Sequence, residues 1–280
     1  MLIIDGDYPM AVLAVRKQRD LRLLIEQVRT AEDYFPGHPE SPDSQTMASL
    51  PELRRGKVAV ALVKIASYVR WPGYSCGDVR SIELAFAAGQ GQLACYRILQ
   101  SQGEASLLTT RGEFIDHMRL WWSSTKHEGL PVGMVLGTEG ADPITWPHQI
   151  HEWWESGLRV VGLSCYGISR YSHGTGTGTE GGLLDGAEDL LRKMESLGMI
   201  LDVTHMSDES IRQALAVFSG PVIASHRNCR SLVPGERQFP DEILTQIIDR
   251  GAVIGHSMDA FMLWKPGIDW TNVPETLGKT

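Results

Sequence analysis

Between Gly198 and Arg237 the chain reads GMILDVTHMSDESIRQALAVFSGPVIASHRNCRSLVPGER. Two short apolar runs stand in it. One is Met199 to Val203, broken only by Asp202, and the other is Val222 to Ala224; turn residues bound both. Runs of this kind predict buried parallel strands. Each is followed by a small hydroxyl residue and a histidine, Thr204-His205 and Ser225-His226. Between them Ser207-Asp208-Glu209 predicts a helix start, with Ser207 as the cap and acids in the first turn. The order strand–His–helix–strand–His confines the segment to a parallel α/β arrangement. There the carboxyl ends of neighbouring strands open on one crevice. Two imidazoles on adjacent strand ends can then meet at one metal ion or one substrate.

The same alternation runs along the rest of the chain. Leu2-Ile3-Ile4 predicts a short buried strand ending at Asp5-Gly6-Asp7. Leu21, Leu24, Ile25 and Val28 fall on one face of a helix predicted over 19–34. The stretch 35–52, rich in Pro, Ser and Asp, predicts a loop or insertion. Further strands are predicted at 58–65, 133–137, 160–164 and 252–255. Helices are predicted at 82–99, 114–122, 148–156, 183–197 and 243–249. Seven strand candidates, mostly separated by one helix, predict an α/β fold of the (β/α)8 TIM-like barrel type, as a single domain over 1–280. After Trp264 the composition is that of a loop. The final strand and helix are therefore missing, or the sheet closes in another way.

Composition removes several functional classes. A net charge of -8 without any basic run argues against nucleic acid as a partner. No run of about 18 uncharged apolar residues is present, so no membrane span is expected. The N-terminus lacks a basic segment followed by an apolar one, so no signal peptide is expected. Cys76, Cys95, Cys165 and Cys229 are scattered and form no CxxC. That favours reduced thiols and a cytoplasmic location. An unfinished barrel would expose apolar sheet edges, which a homodimer would bury.

The residues just past each strand carry the chemistry. They are Asp5 and Asp7, Glu139, Cys165, His205, His226 and His256. Acids and imidazoles at successive strand ends suit a divalent metal site, because zinc takes imidazole nitrogen and carboxylate oxygen. Each histidine alone would pass for a structural residue; it is their gathering at one rim that favours the site. Cys165 reads either as a nucleophile or as a small buried thiol. Gly174 to Gly182 lacks the lysine and spacing of a P-loop and reads as an active-site loop. The tryptophan pairs 121–122 and 153–154 read as packing. The histidines on helices and loops, His117 among them, read as solvated.

At these residues the chain resembles the membrane (renal-type) dipeptidase family, zinc metallopeptidases of the amidohydrolase-like barrel group. The pieces that carry the resemblance are Thr138-Glu139-Gly140-Ala141-Asp142, Leu201-Asp202-Val203-Thr204-His205-Met206-Ser207-Asp208 and Ala224-Ser225-His226-Arg227-Asn228. The resemblance implies a zinc-dependent hydrolase that cleaves dipeptides by metal-activated hydroxide, with one or two Zn2+ ions. Glu139 would be the catalytic carboxylate and bridge the ions, His205 and His226 would hold the second ion, and Asp7 would bind the first. Arg237 would pair with the carboxylate of a small dipeptide-like substrate, a task its planar fork suits. Cys165 falls where the family carries a substrate-contacting histidine. The chain also departs from the family. The His-x-Asp motif after the first strand keeps only its aspartate, Asp7, and the family's late aspartate would fall beyond Thr280. The alternative expectation is accordingly a degenerate barrel that binds a ligand without turnover.

Overall fold

The computed structural model describes residues 1–33, 46–71, 77–176 and 180–263. The expectations for 34–45, Cys76, the middle of the glycine loop and the chain after Leu263 lie outside the described residues. Strand and helix alternate, and the strands pair in parallel, as the sequence pattern predicts. Among the described residues no helix is long and apolar enough to cross a membrane. The chain divides into two compact units, Met1–Ile65 with Gly89–Gly137, and Ala66–Ala88 with Thr138 onward.

The first unit contains β1 (Ile3–Tyr8), α1 (Met10–Lys17), α2 (Ile25–Asp33), α3 (Leu50–Arg55) and β2 (Val58–Ile65). After these come most of α4 (Ile82–Ser101), β3 (Ala105–Leu107), α5 (Arg111–Ser123) and β4 (Val132–Thr138). Its strands run in the order β1-β2-β4, with β3 paired to β4. β2 is buried along nearly its whole length, as an unbroken apolar run between neighbours should be. A capping box starts α5: Thr110 Oγ1 accepts from Glu113 N at 3.2 Å, and the Glu113 carboxylate accepts from Thr110 N at 3.0 Å.

Several expectations need correction here. β1 runs on through Asp7 to Tyr8, and it is not buried: Ile3 is 42% and Ile4 55% exposed. Among the described residues it stands at the end of the strand order, beside β2. The helix expected over 19–34 begins at Ile25, because the Asp20 carboxylate closes a turn on Arg22 N at 3.0 Å and pairs with the Arg22 guanidinium at 2.7 Å. α3 takes up the last residues of the stretch expected as loop, with Leu50 and Leu53 buried. His117 is buried, not solvated, with Nε2 2.9 Å from Ala59 O. Of the tryptophans, Trp121 and Trp153 fill core positions while Trp122 is exposed.

The second unit contains α6 (Ile150–Glu155), β5 (Leu158–Gly162), α7 (Ala187–Ser196), β6 (Ile200–Asp202), α8 (Asp208–Val217), β7 (Val222–Ala224), α9 (Asp241–Asp249) and β8 (Val253–Ile254). Its strand order is β5-β6-β7-β8. Gly162 lies beside Asp202, Asp202 beside Ile223, and Ala224 beside Ile254. The strands thus end nearly level, and the residues after β5, β6 and β7 emerge side by side. Ser207 caps α8 as expected, its Oγ accepting from Ser210 N at 3.1 Å.

Close strand approach depends on a glycine. A Cβ added at Gly162 would stand 3.1 Å from Thr138 O and 3.5 Å from Asp202 O. Gly162→Val should therefore cost about 1–3 kcal/mol through overpacking of the strand ends, read as a lowered urea midpoint. An unchanged midpoint would show that the neighbouring carbonyls give way freely.

Candidate functional site

Five of the six residues expected to form a site lie in the second unit, and the fold brings them together. Glu139 follows Thr138, the last residue of β4. Cys165 follows β5, His205 follows β6 and His226 follows β7. His205 Nε2 is 3.0 Å from Glu139 Oε1 and 3.0 Å from His226 Nε2. Cys165 Sγ donates to Glu139 Oε1 at 3.2 Å and lies 3.9 Å from His205 Nδ1. Arg237 is buried, with Nη2 3.4 Å from His205 Nε2. Glu139, Cys165 and His205 form a cluster whose donor atoms all lie within 4.8 Å of one another, and His226 joins it through His205. The sixth residue, Asp7, belongs to the first unit and ends in an ion pair with Lys64 there, Nζ to Oδ1 3.8 Å. His256, after β8, is exposed.

The histidines are aimed by a buried carboxylate to which the sequence reading gave no role at the site. Asp202 ends β6 and is nearly closed to solvent. Its Oδ1 accepts from Thr204 Oγ1 at 2.6 Å, Thr204 N at 3.2 Å and Ser225 N at 3.2 Å. Its Oδ2 accepts from Ser225 Oγ at 2.6 Å. A charged group in a buried strand is tolerated only with such partners, and this was the signal available in the sequence. The network also assigns a tautomer. The single Ser225 hydroxyl hydrogen goes to Asp202, so Ser225 Oγ accepts from His226 Nδ1, 3.0 Å away. His226 Nε2 then faces His205 Nε2 at 3.0 Å.

Electrostatics keep the cluster short of protons. Burial, followed by the nearby Arg237 charge, pushes the His205 pKa down to about 4, so its ring is neutral at pH 7. Burial and then the Glu139 charge push the Cys165 thiol well up. Cys165 therefore stays protonated and donates, which does not suit a nucleophile. Around His205 Nε2 stand Glu139 Oε1 and His226 Nε2 at 3.0 Å and Arg237 Nη2 at 3.4 Å. Two of these spacings, Glu139 to His205 and His205 to His226, are 3.0 Å, near the roughly 3 Å edge of a coordination shell with bonds of about 2.0 Å.

The other residues frame this cluster. Arg237 Nε donates to Tyr166 OH at 3.2 Å and Nη1 donates to Thr204 O at 3.2 Å. Tyr166 meets the His205 ring edge-on at 5.0 Å. Arg227, fully buried, donates to Thr204 O and, at 3.1 Å, to Glu236 O, with its guanidinium 4.0 Å over Phe239. It ties the segment carrying Arg237 to the end of β6. Neither Tyr166 nor Arg227 stood out in the sequence as part of a site. Asp142 anchors the turn after Glu139, accepting from Val69 N at 2.9 Å, Ser169 Oγ at 3.0 Å and Arg170 N at 2.5 Å.

Comparison with known proteins adds the following. A family model described as membrane dipeptidase (peptidase family M19) matches residues 20–265. An uncharacterised dipeptidase of Schizosaccharomyces pombe is 28% identical over 126 residues, 44% of this chain and 31% of that one. Among solved structures, dipeptidase AC, a metallopeptidase of family M19, superposes with a TM-score of 0.76 at 17% identity, over 100% of this chain and 80% of its own. A metallopeptidase from Rhodobacter sphaeroides, liganded with a phosphinate mimic of the dipeptide L-Ala-D-Ala, gives 0.74 at 16% identity, over 100% and 81%. The fold is thus of the TIM-like barrel type expected from the sequence. The chain spans less than half the length of the first curated relatives it matches, 45% and 31%.

Two outcomes follow for the metal-free chain. Asp202→Ala strands four donors and should lower stability by about 3 kcal/mol or more, measured by urea unfolding; a loss under about 1 kcal/mol would show that the network is dispensable. The second outcome concerns His205, which takes its proton near pH 6.5 when unfolded and at about 4 when folded. Between those values the unfolded state binds more protons, so stability climbs as pH rises from 4 to 6.5 and then levels off. In His205→Gln that part of the slope should vanish; an unaltered slope would place the titration elsewhere.

Proposed function

The chain belongs to the membrane dipeptidase family, peptidase family M19, and on that premise we propose that it is a metal-dependent hydrolase of dipeptides. The observation that carries this reading is the gathering of Glu139, His205 and His226 past three strand ends, with His205 Nε2 3.0 Å from both Glu139 Oε1 and His226 Nε2. His205 and His226 would hold a divalent ion, zinc, through their Nε2 atoms, and Glu139 would hold it through its carboxylate. When bound, such an ion supplies a water acidic enough to ionise near neutral pH and polarises the scissile carbonyl.

The protein's own groups do the rest. Ser225, backed by Asp202, fixes the orientation of the His226 ring through Nδ1 and leaves Nε2 facing His205. Burial keeps His205 neutral. The Glu139 carboxylate takes the proton from the attacking water and returns it to the leaving amine. Cys165, held as a thiol, donates to Glu139 Oε1 and steadies that carboxylate. It lines the substrate space as a small neutral donor. Arg237 grips the C-terminal carboxylate of the substrate. Its guanidinium is aimed by Tyr166 OH and Thr204 O, and it has no carboxylate partner among the described residues. The dipeptide mimic in the R. sphaeroides neighbour supports a substrate of this size.

His205→Ala and His226→Ala should each abolish stoichiometric zinc, measured by elemental analysis after dialysis, together with hydrolysis of simple dipeptides. Zinc retained in either variant would refute the ligand assignment. Arg237→Lys should raise KM for dipeptides about tenfold with a smaller effect on kcat, because a point charge replaces a bidentate fork. An unchanged KM would mean that the substrate carboxylate binds elsewhere. A wild-type chain that binds zinc yet turns over no dipeptide would favour the non-catalytic alternative.

A further inference from the structure

Asp7 has a cation of its own. Lys64 sits near the C-terminal end of β2, only 1% exposed, in a position where the sequence shows an otherwise apolar strand. Its Nζ is 3.8 Å from Asp7 Oδ1, an oxygen itself closed to solvent. Both residues are firmly placed. Tyr8, next to Asp7, lies in register with Val63, next to Lys64. Asp7 N donates to Asp5 Oδ1 at 3.0 Å. Lys64 O accepts from Tyr96 OH at 2.9 Å, and that hydroxyl accepts in turn from Ala11 N at 3.1 Å.

A buried ammonium is strongly unfavourable without an anion beside it, and a dehydrated carboxylate is equally so without a cation. The Lys64 ammonium has the Asp7 carboxylate beside it at ion-pair distance without a hydrogen bond, and the Asp7 side chain keeps 19% of its surface. A divalent ion approaching Asp7 would have to displace or repel the charge of a buried ammonium 3.8 Å from its carboxylate. We infer that Lys64 takes the place of a metal ion at Asp7, so that Asp7 is not a metal ligand and the chain holds one divalent ion. The count of one rests on the proposed site at Glu139, His205 and His226; the ion pair stands independently of it.

The test combines zinc binding with a double-mutant cycle on the whole chain. Wild type, Asp7→Asn, Lys64→Met and the double variant are titrated with zinc and melted without it. The expected result is one zinc per wild-type chain and an affinity in Asp7→Asn within about twofold of wild type. Each single variant should lose roughly 5 °C or more in Tm, and the double variant should lose clearly less than the sum. Two zinc ions per wild-type chain, or a zinc affinity at least tenfold weaker in Asp7→Asn, would overturn the inference. If wild type takes up no zinc, the proposed hydrolase fails and the Tm cycle alone decides the pair, with additive losses counting against it. If a single variant does not fold, the double variant, which buries no unpaired charge, carries the zinc measurement.

Discussion

A carboxylate buried between two strand ends organises the second half of this chain. Asp202 gathers four donors from the segments that follow β6 and β7. Each bond is charge-assisted, and none of these groups is left to water. The two strands carry only three residues each, so the backbone ladder between them is short. The side-chain knot at their ends adds what the ladder lacks. The histidines that follow inherit its rigidity. Remove the carboxylate and both the register and the imidazole geometry lose their reference point.

That rigidity explains why the cluster can remain uncomfortable without a bound cation. Glu139, His205 and His226 side chains in contact at 3.0 Å would rotate away from one another in a soft site. Here the His226 ring is hydrogen-bonded from behind, and the His205 ring is hemmed in by Tyr166, Arg237 and Cys165. Burial lowers the proton affinity of His205 and raises that of Cys165. One ring is thereby kept basic in the Lewis sense and one thiol is kept inert. The same desolvation has opposite consequences for a cationic acid and a neutral one.

Much of this was legible in the sequence, and the exceptions share a cause. β7 was bounded to the residue, β6 to within a residue at each end, and the Ser207 cap was placed correctly, because apolar runs and capping residues are local signals. α1 and β3 escaped notice: one follows Pro9 without a long periodic stretch, and the other has three residues. The helix predicted over 19–34 was shortened by one Asp–Arg turn. Within the site, the residues at strand ends could be named, while those that aim them could not. Asp202 and Lys64 are charged residues inside buried strands, and each looks like an interruption until its partner, distant in sequence, is seen. Such residues are better read as a demand for a counterpart.

The tie made by Arg227 bears on the protonation of the cluster. It fastens the Glu236 segment to the end of β6, so the Arg237 fork is a fixed post and not a swinging arm. The post stands against the cluster itself, Nη2 3.4 Å from His205 Nε2. A stiff backbone tie at Arg227 thus sets the charge that, after burial, lowers the proton affinity of His205.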